Sequence, residues 1–356
     1  MADWREAMQQ TYEYYVVDPE TWRDNKLLRT VTSSSITRDS DTDTLGSATI
    51  DIADTVGDCY IRKYLVVIQN GVTEKVPLGV FLMQTPSSNF DGKNREVSVD
   101  AYTPLIELKE GLPPIGYFVP KGENIMDTAY RLVRENVRAP VVWIEGSCPD
   151  TLSNNFVANT DDNWLVFVRD LINEAKYTFD LDEMGRILFI PKKDIESMQA
   201  VWTYSDDEMS ILCPEITMEH DLYDVPNVVE VTYSSDNAYY HVTVENNDPN
   251  SPVSTVNRGR KITRRFVNPS FPGGNEPTER YVREYAETLL KELSTVEYTI
   301  SYTHGYCPTR VGDCIRFDYS RAGLTDIKAK VISQNIKCTP GCQVSEKAKF
   351  TTKLWR

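Results

Sequence analysis

Residues Val76 to Leu105 read VPLGVFLMQTPSSNFDGKNREVSVDAYTPL, and this stretch narrows the folds open to the chain more than any other. Val76, Leu78, Val80 and Leu82 alternate with Pro77, Gly79, Phe81 and Met83; after Asp91-Gly92, Val97 and Val99 alternate with Ser98 and Asp100. A period of two sends successive side chains to opposite faces, so the pattern predicts two β-strands joined by a turn at Asp91-Gly92, with one face buried and the other free. Such a pair reads as the edge of a barrel and not as an active site.

The preceding residues extend the β pattern. A short helix is expected over Asp3 to Gln10, then strands near Tyr12 to Val17, Leu27 to Ser34, Ser47 to Ile52 and Tyr60 to Gln69. Asn70-Gly71 supplies the positive φ angles of a tight hairpin between two of these strands. Short strands at this spacing suggest a barrel or sandwich.

A length of 356 residues is more than one core usually serves, so two or three domains are expected. The pair Pro113-Pro114 marks a border after which the β pattern gives way to helices. Asn124 is placed to cap a helix that carries Ile125, Ala129, Leu132 and Val133 on one face, with Asp127 in its first turn. A second helix over Asn163 to Lys176 turns Trp164, Phe167, Val168, Leu171 and Ala175 inward, and strands Tyr177 to Leu181 and Arg186 to Ile190 form a hairpin able to cover both helices. From Val225 the strands NVVEVTYS, YYHVTVEN and GRKITRRF are expected to begin a second barrel. It is interrupted by Pro272-Gly273-Gly274 and a helix over Thr278 to Leu293, and Thr295 to Tyr302, Cys314 to Tyr319 and Ala329 to Ile336 supply further strands. On that helix Glu279 with Arg283 and Glu287 with Lys291 form i, i+4 pairs of a solvated face. The expected domains are 1-110, a first barrel; 111-200, an α+β insert; and 201-356, a second barrel with a helical insertion near 276-293.

Charge limits the partners. With 38 basic against 53 acidic residues the net charge is −15, which argues against holding nucleic acid by its phosphates. No run of about 18 apolar residues occurs, and the start MADWREAMQQ lacks the pattern of a signal peptide, so neither a membrane anchor nor export by the general route is expected.

Few residues suggest chemistry. Seven scattered cysteines do not form a disulfide framework, and reduced thiols are expected. Six residues separate Cys307 from Cys314 and three separate Cys338 from Cys342, unlike the tight pairs of a zinc ribbon, which leaves metal binding by these four an open alternative to buried thiols. The three histidines, His220, His241 and His304, show no metal spacing, and acidic pairs such as Asp161-Asp162, Asp206-Asp207 and Asp180 with Asp182 are common in so acidic a chain. No nucleophile elbow, phosphate loop or dinucleotide fingerprint occurs. The sequence therefore assigns no catalytic, cofactor-binding or metal residue, and no enzyme is expected. Arg258-Gly259-Arg260-Lys261 with Arg264 and Arg265 reads either as a contact for an acidic partner or as a charged strand edge. Twenty tyrosines and six tryptophans suit contact surfaces and barrel cores alike.

Four local patterns carry a family likeness: Pro77-Leu78-Gly79-Val80-Phe81, Asn227-Val228-Val229-Glu230-Val231, Ser251 to Gly259, and Val311-Gly312-Asp313-Cys314-Ile315. Together with the order barrel, α+β insert, barrel, the chain resembles the baseplate hub proteins of tailed bacteriophages, also called late-control or tail-associated hub proteins. The resemblance implies a mainly β fold with two tail-tube-like barrels in tandem, a helix-containing domain between them and a helix inserted in the second. It implies a structural virion protein whose homotrimer adapts the six-fold tail tube, or a distal tail protein, to a three-fold spike or tip. Tape measure and other baseplate proteins are further implied neighbours, with assembly in the host cytoplasm and no sequence-specific nucleic-acid binding. An acidic lumen in that ring would let DNA slide past. The alternative reading is a carbohydrate-binding or adhesin subunit that stacks sugars on exposed rings.

Overall fold

The computed structural model describes residues 2–53, 57–90, 95–270 and 277–355. The chain forms two compact units, Met1–Ile216 with Tyr302–Ala348, and Thr217–Ser301 with Lys349–Arg356. The fold is mainly β, as the alternating patterns require. No described helix is long and apolar enough to cross a membrane.

The first unit opens with β1 (Gln9–Val17), β2 (Asp24–Leu28), β3 (Val31–Asp39), β4 (Gly46–Ile52), β5 (Tyr60–Gln69), β6 (Val72–Phe90) and β7 (Arg95–Tyr102). They are hydrogen-bonded in the order β2-β1-β5-β6-β7-β4-β3. Gln69 pairs with Val72 across Asn70 and Gly71, whose φ angles of 50° and 76° are those of the expected tight hairpin. The turn expected at Asp91-Gly92 lies outside the described residues, although Phe90 and Arg95 on either side of it are paired.

Two local expectations fail here. Asp3 to Gln10 forms no helix: β1 begins at Gln9, the Trp4 ring meets Tyr306 edge-on at 5.0 Å, and the Arg5 guanidinium lies 5.4 Å from the centre of the Trp202 ring. A segment this short gains more from those long-range contacts than from one or two unsupported turns. The strand expected over Leu27 to Ser34 is split, because β2 pairs with β1 while β3 pairs with β4 at the far side of the same sheet.

Strand β6 also departs from its expected one-sided burial. Leu78, Phe81 and Met83 enter a core with Ile36, Ile50, Leu65, Val97 and Val99, while Val80 and Leu82 enter a second core with Tyr60, Leu105, Leu108, Leu132 and Phe167. The register shifts where Lys63 faces Gly79 and Tyr64 faces Pro77, so Leu78 is the extra residue of a bulge and joins the face of Phe81.

The second core is roofed by the segment from Ile106 to Pro191, which forms α1 (Ile106–Glu110), β8 (Phe118–Val119), α2 (Ile125–Asn136), β9 (Val141–Val142), β10 (Phe156–Val157), α3 (Trp164–Glu174), β11 (Tyr177–Leu181) and β12 (Ile187–Pro191). Asn124 and Asn163 cap α2 and α3, each side chain accepting from a backbone N–H at 2.9 Å. Both helices bury the apolar faces read from their periodicity. β11 and β12 form the expected hairpin, with β9 parallel to β12.

Next come β13 (Trp202–Ser205) and β14 (Leu212–His220), then β15 (Val228–Ser234), β16 (Tyr239–Glu245), α4 (Thr255–Arg258), β17 (Thr263–Val267) and α5 (Glu279–Leu293). The chain ends in β18 (Thr295–Gly305), β19 (Cys314–Tyr319), β20 (Leu324–Lys337) and β21 (Gln343–Lys353). Strands β14-β18-β21-β20 continue directly into β3, with Ile336 opposite Ile36, and β19 joins β20 to β13.

The three strands between Val228 and Val267 do not enter this large sheet. β16-β15-β17 form a separate three-stranded sheet in the second unit, where Val229, Val231, Val242 and Val244 pack on Val282, Ala286 and Leu290 of α5. β15 is paired on both sides, antiparallel to β16 and parallel to β17, and so has no edge to offer another sheet. Pro272-Gly273-Gly274 lies outside the described residues. On α5 the Glu279–Arg283 pair forms at 3.7 Å, whereas the Lys291 ammonium lies 5.6 Å from the centre of the Trp355 ring.

Candidate functional site

In the first unit the β11–β12 turn, Asp182 to Gly185, is inserted among residues from distant parts of the sequence. The Trp22 indole Nε1 donates to the Met184 carbonyl at 2.8 Å. Arg62 Nη2 donates to the Trp22 and Met184 carbonyls at 3.0 and 3.3 Å, and its Nη1 lies 2.6 Å from the Asp24 carboxylate. Arg310 Nε meets Glu183 at 2.8 Å, while its Nη2 meets Asp180 at 3.1 Å and donates to the Leu181 carbonyl. Arg38 completes the clasp, 3.8 Å from Glu183 and donating to the Leu78 carbonyl at 2.7 Å. Gly185 has φ of 76°, and a Cβ there would stand 2.5 Å from Val80 Cβ.

Burial pushes the Asp180 carboxyl up, against the Arg310 charge that pulls it down. Burial would lower Arg310, but Asp180 and Glu183 hold its charge in place. A cavity of about 320 Å³ opens beside this joint, lined by Leu78, Val80, Phe179 and Ile190 with Arg310 and Lys330 among its polar groups.

A second cluster is sealed inside the same unit. Glu346, on β21, accepts from Tyr302, from Gln334, and from Thr309 at 2.9 Å, and His304 Nε2 lies 3.3 Å from it. Tyr204 Oη is 3.1 Å from His304 Nε2 and 3.4 Å from Cys307 Sγ, and His304 Nδ1 donates to the Gly305 carbonyl at 2.6 Å. Burial alone would lower His304, yet its bonds to Cys307 and Glu346 raise it to about 10; burial would raise Glu346, yet His304 pulls it below the usual carboxylate value. Each partner thus favours the charged form of the other. Cys307, His304 and Glu346 are residue types of a thiol nucleophile, but their exposures of 1%, 1% and 2% give a substrate no approach. The cluster ties β13, β18, β20 and β21 together.

The residues singled out in the sequence are dispersed. Cys338 and Cys342 lie in the apolar core with Ile336 and Val344, and Cys307 lies in the polar cluster. Among the described residues no group of three or more His, Cys, Asp or Glu side chains is arranged to hold a metal. His220 stacks on Tyr298 at 4.6 Å, and His241 bonds Thr232 at 3.0 Å. Asp162 and Asp207 accept from nearby backbone N–H groups, Asp206 pairs with Arg321, and Asp182 pairs with Arg186. In the basic cluster Lys261 meets Glu245 at 2.6 Å, Arg265 meets Glu230 at 2.6 Å, Arg264 meets Asp224, and Arg258 donates to the Val225 and Leu222 carbonyls. That distribution favours the charged strand edge over a contact for an acidic partner.

Arg62 and Lys63 belong to none of the sequence patterns above, though two adjacent cations inside YIRKYLVVIQ are a signal, since a buried strand keeps a charge only where partners await it. Both are buried: Lys63 Nζ donates to Ser34 Oγ and to the Ser35 carbonyl at 3.1 Å.

No protein-family model matches the chain, and no curated protein matches it in sequence. Its fold, however, is that of phage tail proteins. The tail protein from Neisseria meningitidis MC58 superimposes with a TM-score of 0.59 over 96% of this chain and 96% of that one, at 14% identity. The 43 kDa tail protein of prophage MuSo2 from Shewanella oneidensis gives 0.59 over 95% and 98%, at 10% identity. A chain of the half-lidded Francisella PdpA-VgrG complex gives 0.55 over 97% of this chain and 58% of that one, at 9% identity.

Proposed function

We propose that the chain is a structural protein of a phage tail, and that three copies form a hub ring joining a six-fold tube, or a distal tail protein, to a three-fold spike or tip. The observation that carries this reading is the agreement in fold with two tail proteins along nearly the whole length of both chains. A further support is the architecture of the large sheet, in which strands from 1-110 and strands from 201-356 form two regions joined where β3 pairs antiparallel with β20. In this reading these regions are the tube-like barrels, residues 111-200 are the insert that locks onto the first, and β15–β17 with α5 are an insertion in the second. The protein would act by geometry: barrel edges meet neighbouring copies, and no chemical step is required. Its place is the baseplate or tip of the virion.

The test is the mass of the purified chain in solution, followed by electron microscopy of the particle. Three copies around an open axis support the hub, and a monomer at concentrations of tens of micromolar overturns self-assembly of this chain. The glycan-binding alternative draws on Tyr223 and Tyr239, which are 88% and 68% exposed, and a glycan-array signal lost on their substitution by alanine would favour it.

A further inference from the structure

The hydrogen-bonding path through the large sheet ends in β14 on one side and β2 on the other. The first unit holds all of β2 and the Leu212–Ile216 part of β14. Both are edge strands, and both are largely exposed, with Asp24, Asn25 and Lys26 open on β2 and Pro214 and Glu215 open on β14. Edges of this kind template pairing with another chain unless something blunts them.

Their charges differ in sign. Arg23, Lys26 and Arg29 line β2 and its two ends, all exposed, while the Asp24 carboxylate is engaged by Arg62 and Tyr64. Glu208 and Glu215 stand exposed before and within β14. On a chain of net charge −15 a basic edge is a local reversal. Short length and charge also suit an edge merely protected from aggregation, but protection works equally well with one sign at both ends. A third edge, β13, reads WTYS and carries no charge.

We infer that β2 of one copy docks against the Leu212–Ile216 edge of the next, so that a second copy of this chain is the occupant of both edges. Two different patches that fit each other make a head-to-tail contact, the kind that closes into a ring. Pro214 removes one ladder donor from β14, so side-chain charge takes a larger part in the pairing than a full backbone ladder would require. This inference rests on the ring proposed above and names the surfaces that build it.

The test uses the full chain and three variants: Arg23→Glu with Lys26→Glu and Arg29→Glu; Glu208→Lys with Glu215→Lys; and all five together. Sedimentation velocity and native mass are read at low and high salt, with circular dichroism to establish that each variant is folded. The expected result is an oligomer for the wild type, weakened by salt, loss of the oligomer in either single-edge variant, and its return in the five-fold variant. An oligomer that persists in both single-edge variants overturns the edge pairing and leaves the ring standing. A wild type that is monomeric at every concentration overturns both. Folded single-edge variants whose oligomer the five-fold change fails to restore also overturn the pairing.

Discussion

Gly185 and Val80 are in contact across more than a hundred residues of sequence, so closely that a Cβ at position 185 would lie 2.5 Å from the Val80 Cβ. With φ of 76°, the position also needs a residue without a side chain. Gly185→Ala is expected to cost about 1–3 kcal/mol from backbone strain plus the displacement of Val80. Gly116→Ala is the control, because Gly116 has φ of 77° and nothing within 4 Å of its Cβ position. Urea unfolding of both variants should show the larger loss at Gly185; equal losses would mean that the turn is not held against β6.

The Glu346–His304 pair gives a pH-dependent contribution with opposite limits. His304 is raised from 6.5 to about 10, so its share is full below pH 6.5 and fades as pH climbs toward 10. Glu346 is lowered from 4.5, so its share is full above that value and fades as pH falls through its folded value. Glu346→Ala leaves a buried cation unpaired and is expected to cost about 3–5 kcal/mol near pH 6. Denaturant melts of wild type and variant from pH 4 to pH 10 should differ most in the middle of that range.

Lys63 slopes the other way. Burial brings its ammonium down from 10.5 to about 8, so the folded protein releases that proton sooner than the unfolded chain and gains stability between those pH values. Lys63→Met is expected to remove that gain, leaving the variant at least as stable as wild type at pH 7 and level with it by about pH 10. A stability difference that does not change across this range would contradict the burial of the ammonium.

Arg310 uses its fork on three groups, Asp180, Glu183 and the Leu181 carbonyl. A lysine cannot span them. Arg310→Lys is expected to cost about 2 kcal/mol, within the range for breaking charged hydrogen bonds, and to speed amide exchange in β11 and β12. Exchange unchanged in that hairpin would show that the insert is held by its apolar core alone.

Much of this architecture was legible because local physics dominated it. Asn70-Gly71 has the conformation its residues demand, and α2, α3 and α5 follow their apolar periodicity and caps. Where distant residues intervened, legibility was lost. The helix expected at Asp3 to Gln10 yields to Trp4 and Arg5 contacts with Tyr306 and Trp202, a separation in sequence that no local pattern reports. Val80 and Leu82 look like one side of a half-exposed strand until the insert covers them. β14 and β21 escaped notice because charged residues interrupt their apolar pattern, as in QVSEKAKFTTK, where the buried Glu346 takes an apolar position. The polar cluster depends on β13, β18, β20 and β21 coming together, so no spacing of residues announces it.

The register that sets Ile36 opposite Ile336 also has a consequence for synthesis, since it separates two bonded partners by 300 positions. At about 5–20 residues per second, a ribosome needs roughly 15–60 s to make that interval. Throughout it the outer border of β3 remains bare on the nascent polypeptide, and only the emergence of β20 supplies the strand that covers it.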